Sequence, residues 1–151
     1  MATETGRHRQ VELDTEMHNW VLGGLSGFIG GSLFGALMSA TPYMENVAAL
    51  FGLSTPAAGW IIHLAFSILF AWIFVGVVTL EQFSGYAKRP STGAGLGVTY
   101  GILVWFVAGS VMFPLWLNGS FSIEPNFLAL VGHIVFGAFL GAIYPILLAH
   151  D

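Results

Sequence analysis

The chain has 151 residues, of which 56% are hydrophobic and only 8% are charged, with a formal net charge of −4. A single core of this size could not bury so much apolar surface, so most of the chain must lie in lipid. The absence of cysteine excludes disulfides, thiolate metal sites and cysteine-based catalysis. The few basic residues form no stripe, which argues against a nucleic-acid partner.

Four apolar stretches are each long enough to cross a bilayer, which takes about 20 helical residues. In chain order they are residues 20–40, 57–80, 92–112 and 127–149. Lipid requires backbone groups to be satisfied within each segment, so all four are predicted to be helices. The predicted fold is all-α, a four-transmembrane-helix bundle in a single membrane domain, 20–151, after a cytoplasmic N-terminal segment, 1–19.

The basic residues occur in two places, before the first span and between the second and third; they are Arg7, Arg9, Lys88 and Arg89. The loops on the opposite side, 41–56 and 113–126, carry the acids Glu45 and Glu124 and no basic residue. By the positive-inside rule, both termini are predicted to be cytoplasmic. The expected location is the cell membrane, with multiple passes.

An internal repeat relates the two halves of the chain. At an offset of 70 residues, Gly23 aligns with Gly93 and His63 with His133. This indicates two copies of a helical hairpin, repeat one at 20–80 and repeat two at 90–150. Since each copy has two spans, both enter the membrane in the same direction and form a parallel repeat.

Glycines recur every four residues in three of the spans. Small residues allow close backbone approach, on which helix association in lipid depends. These glycines are therefore predicted to pack helices, either inside the bundle or, with one seam facing outward, in a homodimer. They are Gly23, Gly27, Gly31 and Gly35 in the first span, Gly93, Gly97 and Gly101 in the third, and Gly137 and Gly141 in the fourth.

His63 and His133 are the strongest polar groups within the spans, each about 9 Å from the start of its helix. A polar ionisable residue in a span is a functional hypothesis by default. One interpretation is structural, in which a neutral imidazole hydrogen-bonds across helices and sets their register. A second is axial ligation of a haem b, since bundle cores hold such cofactors between facing histidines.

A third interpretation is a metal or proton site, in which Glu45 or Glu124 joins the histidines. Imidazole and carboxylate together suit zinc, copper or iron, but two ligands do not complete a site. No trio of nucleophile, base and orienting group can be named, so an enzyme is not expected.

Motifs in the second half resemble an uncharacterised family of small prokaryotic membrane proteins with four spans, many of them haloarchaeal. The motifs are YG-x3-W, followed by VMFP, in the third span and GH-x3-G-x3-G-x2-Y in the fourth. The resemblance implies a four-span fold and no known activity, ligand or partner. The second span departs from the motif, with Ser67 and Ala71 in place of Gly137 and Gly141.

The function expected from these observations is structural or accessory: a small membrane subunit that packs through its glycine seams against itself or a larger complex. One alternative is a haem b or metal-binding electron carrier that uses His63 and His133. Another is a small oligomeric transporter or channel, although the absence of charged residues within the spans argues against ion transport.

Overall fold

The computed structural model describes residues 2–119 and 126–150, with side chains from residue 15 onward. These residues form helices joined by short connections, and they contain no strand. Within the described residues, seven α-helices run in the order α1 (Ala2–Met38), α2 (Tyr43–Ala49), α3 (Pro56–Val78), α4 (Glu81–Ser84), α5 (Pro90–Val104), α6 (Phe113–Asn118) and α7 (Phe127–Ala149).

Four helical stretches are long and apolar enough to cross a membrane: Thr15–Met38, Pro56–Val78, Pro90–Asn118 and Phe127–Ala149. The predictions of an all-helical fold and of four helices able to cross a membrane are therefore confirmed for the described residues. The boundary predicted between residues 19 and 20 falls inside α1, which runs without a break into its span. Hydropathy marks where lipid begins, whereas backbone hydrogen bonding lets the helix extend beyond it.

The second and fourth spans begin in the same way. Thr55 caps α3 by accepting a hydrogen bond from the Ala58 amide at 3.3 Å, and Asn126 caps α7 through the Ala129 amide at 3.0 Å. Threonine and asparagine side chains satisfy an amide that the first helical turn leaves without a partner. Each cap lies eight or fewer residues before a histidine, so the two histidines enter the bundle at equivalent depths.

The third span is not a uniform α-helix. Between α5 and α6, residues Trp105–Met112 form a π-helical segment, and α6 ends at Gly119 with φ of 66°. Pro114 explains why the regular α-helical hydrogen bonding is interrupted here. A proline has no amide hydrogen to donate, and its ring crowds the carbonyl four residues earlier. The predicted loop 113–126 therefore begins as helix, and α2 forms within the predicted loop 41–56.

The helices pack as a bundle that is open on one side. α1 packs along both α3 and α7, and α5 packs along α7, whereas α3 and α5 touch only marginally. Fully buried side chains from three spans form the core: Met38, Phe74, Val75 and Leu140. If the two hairpins were strictly equivalent, the α3–α5 contact would match the α1–α7 contact, and it does not.

In the α5–α7 interface, glycine faces glycine. A methyl group placed on Gly97 would collide with the Gly137 carbonyl oxygen, and one placed on Gly137 would collide with the Gly97 carbonyl. Gly93 and Gly141 stand in the same reciprocal relation, one turn away. At this separation each Cα lies against the carbonyl of the opposite helix, a contact typical of tightly packed membrane helices.

In the α1–α3 interface, the glycines of α1 face small side chains. A methyl group on Gly31 would meet the Ser67 side chain, and one on Gly27 would meet both the Ala71 methyl and the Ser67 carbonyl oxygen. Gly35 lies against the Trp60 ring. The glycine faces of α1 and α5 are therefore occupied by neighbours within the same chain.

Candidate ligand cavity

A cavity of about 140 Å³ lies where α3 and the third span separate. It lies toward the end of the bundle opposite the two termini, and α2 covers part of it. Aromatic and aliphatic side chains form most of its wall, among them Val47, Phe66, Phe70, Val104, Met112, Phe113, Trp116 and Phe136. Four residues with polar side chains also line it: Tyr43, His63, Ser67 and His133.

His63 is 5% exposed and bonds to the neighbouring helix α1. Its Nε2 lies 2.9 Å from the Gly31 carbonyl oxygen. A carbonyl can only accept, so Nε2 must carry the proton. In a neutral imidazole this leaves Nδ1 unprotonated, and Nδ1 has no hydrogen-bond partner among the described residues.

His133 is 7% exposed and bonds within its own helix. Its Nδ1 lies 2.7 Å from the Ala129 carbonyl oxygen and must therefore donate. The unprotonated nitrogen is Nε2, which faces Gly109 of the π-helical segment: a methyl group on Gly109 would lie 4.0 Å from it. The two histidines thus hold opposite tautomers, and each keeps one nitrogen that can accept a hydrogen bond.

Phe34 of α1 bridges the two imidazoles. Its ring centroid lies 4.9 Å from that of His63 and 4.7 Å from that of His133. Tyr43 and Trp60 pack edge-on around His63, at 6.0 and 6.1 Å. Axial ligation needs a porphyrin between two accessible imidazoles, and Phe34 fills that region. The cavity also matches a single aromatic ring in volume, so these residues do not fit a bis-histidine haem.

Tyr43 supplies a hydroxyl to the cavity wall from outside the spans. Burial raises the pKa of Tyr43 above its ordinary value of 10.0, so the phenol stays neutral and can donate or accept. Its hydroxyl has no partner among the described residues. The Ser67 hydroxyl, by contrast, already donates to the His63 carbonyl oxygen at 2.8 Å, so its proton is not available to a ligand in the cavity.

The remaining wall includes the π-helical segment. Gly109 and Ala108 present little side chain to the cavity, which leaves His133 accessible. Ser110, next in sequence, is fully buried and its hydroxyl has no hydrogen-bond partner in the described part of the chain. π-Helical turns are uncommon and often occur at functional sites, because they displace side chains that a regular helix would align.

A metal site with the predicted acids is not formed by the described residues, where no group of three His, Cys, Asp or Glu side chains could hold an ion. Glu45 is exposed on α2, and Glu124 lies outside the described residues. Sequence reasoning identified both histidines but missed Phe34, Tyr43 and Gly109. The one local signal was Pro114, five residues after Gly109 in an otherwise helical run.

No protein family, curated protein or solved structure matches this chain.

Proposed function

We propose that this chain is a multi-pass protein of the cell membrane that binds a small, mainly apolar molecule carrying a hydrogen-bond donor. The observation that supports this most directly is the pair of neutral imidazoles in one apolar cavity, each held by a backbone carbonyl in the tautomer that offers an unprotonated nitrogen. An apolar ligand pocket with a few convergent polar groups is the usual form of a small-molecule site.

The hydrogen-bonding groups in the cavity wall determine which functional group a ligand must carry. Two imidazole nitrogens accept and cannot donate, so a hydroxyl or a comparable donor on the ligand would satisfy them, and an ether or ketone would not. The volume of about 140 Å³ is close to that of a cavity that holds benzene, about 150 Å³. A phenol or quinol ring meets both conditions, with any longer tail leaving toward lipid between α3 and the third span.

We expect both termini to be cytoplasmic by the positive-inside rule, and the cavity would then lie in the outer half of the membrane. The pairing of equivalent hairpins, repeat one and repeat two, would explain why the two histidines occur at the same depth. A structural or accessory role is the second candidate: the internal glycine contacts hold the bundle together but leave no glycine seam for a partner. We expect no enzymatic activity.

Ligand-observed fluorine NMR in detergent tests the proposal with 4-fluorophenol and 4-fluoroanisole, which differ in the donor. We expect fluorophenol to bind about tenfold more tightly, which corresponds to one buried hydrogen bond of about 1.4 kcal/mol. Gly109→Leu fills the cavity and should abolish binding of both. Gly95 lies on a face of α5 that has no neighbouring side chain or backbone, so Gly95→Leu is the matched control. Equal binding of both compounds, or unchanged binding by Gly109→Leu, would contradict the proposal.

A visible absorption spectrum of the purified protein, oxidised and then reduced with dithionite, separates this function from electron transfer. Because Phe34 fills the region between the imidazoles, we expect no Soret band in protein produced with ample haem. A reduced spectrum with split α and β bands that disappears in both His63→Ala and His133→Ala would instead establish a haem protein.

A further inference from the structure

A second cleft, of about 380 Å³, lies at the opposite end of the bundle, beside the chain termini. It is bounded by α1 at Asn19, by the end of α3 at Val78, by the short connection at Lys88 and by the last turns of α7. It shares no lining residue with the histidine cavity. Any property of this cleft is therefore independent of the function proposed for that cavity.

The available polar groups of the cleft can all donate a hydrogen bond. Lys88 contributes a positive charge and forms no ion pair with the described residues. The side-chain amide of Asn19 is likewise without a hydrogen-bond partner there. None of the described residues that line the cleft is acidic. The Thr79 and Ser84 hydroxyls already donate to carbonyl oxygens of their own turns, at 2.9 and 3.2 Å.

Tyr144 adds a third possible hydrogen-bond donor to the wall of the cleft. Its side chain is 3% exposed, it lines the cleft, and its hydroxyl has no hydrogen-bond partner among the described residues. The hydroxyl oxygen is not among the fully buried polar atoms that lack a partner, so it is accessible at the cleft wall, where it can donate to an acceptor. An acceptor entering the cleft would satisfy it together with Asn19 and Lys88.

The depth of the cleft indicates what such an acceptor is. α3 ends at Val78 and α7 at Ala149, so the cleft lies where the apolar part of the bundle stops. In a bilayer this is the level of the headgroups, where lysines meet anionic lipid. We infer that this cleft binds a phosphate group through Lys88, Asn19 and Tyr144, supplied by an anionic lipid headgroup or by a free phosphate.

The experiment measures binding by native mass spectrometry of the full chain with phosphatidylglycerol, with phosphatidylcholine and with inorganic phosphate. We expect phosphatidylglycerol to bind, and Lys88→Gln and Tyr144→Phe each to weaken it about fivefold to tenfold. Arg89→Gln removes the same charge from the adjacent residue, which does not line the cleft, and should weaken binding less than twofold. Tyr144→Phe keeps the ring and therefore the core packing.

The arms of this experiment separate the possible outcomes. Tight binding of inorganic phosphate that depends on Lys88 would support the site and identify the free anion as its source. Equal losses in Lys88→Gln and Arg89→Gln would overturn the inference, because general surface charge would then explain the binding. Phosphatidylcholine also carries a phosphate but has no net charge, so equal binding of phosphatidylcholine and phosphatidylglycerol would overturn the anionic headgroup as the ligand. No effect of Tyr144→Phe would overturn the site itself.

Discussion

The two helical hairpins use the same glycine spacing and reach different packing. In the α5–α7 hairpin, glycines on both helices bring backbone against backbone. In the α1–α3 hairpin, the glycines of α1 mostly face the side chains of Ser67, Ala71 and Val75, and backbone approaches backbone at Gly27, which lies against the Ser67 carbonyl. The difference teaches that a glycine stripe marks a contact face, while the residues opposite it decide how close the helices come and what a substitution costs.

The two hairpins also differ in the hydrogen bonds that their histidines make. His63 bonds across to α1, whereas its counterpart His133 bonds to the preceding turn of its own helix. Tyr43, which brings a hydroxyl to the cavity, aligns with Phe113 in the second half. The second hairpin therefore depends on backbone contact, and the first depends more on side chains.

The largest effect is expected from Gly97→Ala, because the new methyl group meets the Gly137 backbone, which cannot rotate away. Overpacking of this kind costs roughly 3 kcal/mol. We expect the midpoint of thermal unfolding in detergent to fall by roughly 10 °C. Gly95→Ala, two residues away with nothing near its new methyl group, is the control and should change the midpoint little or raise it. Similar losses in both variants would show that the α5–α7 contact does not have this geometry.

A smaller and reversible loss is expected from Gly31→Ala. Its methyl group meets only the Ser67 side chain at close range, so the double variant Gly31→Ala, Ser67→Gly should recover most of the stability. We expect the single variant to cost about 1–3 kcal/mol. A double-mutant cycle followed by thermal unfolding measures the coupling. Additive losses would mean that α1 and α3 are not in contact at this position.

The two histidines should differ in their contribution to stability. His63→Ala removes a bond between helices, and His133→Ala removes one within a helix, while both remove a buried ring. We expect His63→Ala to be more destabilising by about 0.6 kcal/mol, the typical value for an interhelical hydrogen bond in a membrane. Thermal unfolding of the two variants side by side tests this. A larger loss of stability in His133→Ala than in His63→Ala would contradict the prediction.

The smallest effect concerns Tyr43. Because burial raises its pKa, the neutral phenol is favoured in the folded state. The stability that it contributes is complete below pH 10.0, its ordinary pKa, and is lost as the pH rises toward the higher folded value. The absorbance of tyrosinate near pH 11 should be the same in the wild type and in Tyr43→Phe. A lower absorbance in the variant would show that Tyr43 ionises normally.

The sequence by itself determined that the chain is helical and has four helices long and apolar enough to cross a membrane. Each span depends on its own composition, since the transfer of apolar side chains into lipid and the satisfaction of backbone hydrogen bonds are local properties. The four-residue glycine spacing likewise indicated which faces of α1, α5 and α7 make contact, and the repeat predicted histidines at equal depth.

Tertiary structure alone decided which groups meet. Nothing near His63 in sequence indicates that the Gly31 carbonyl accepts a hydrogen bond from it, or that Phe34 contacts both imidazoles. The separation of α3 from the third span, and the cavity that results, depends on side chains that lie more than 30 residues apart. Such relations arise from the packing of whole helices, because steric fit is a property of pairs of surfaces and is not encoded in either one alone.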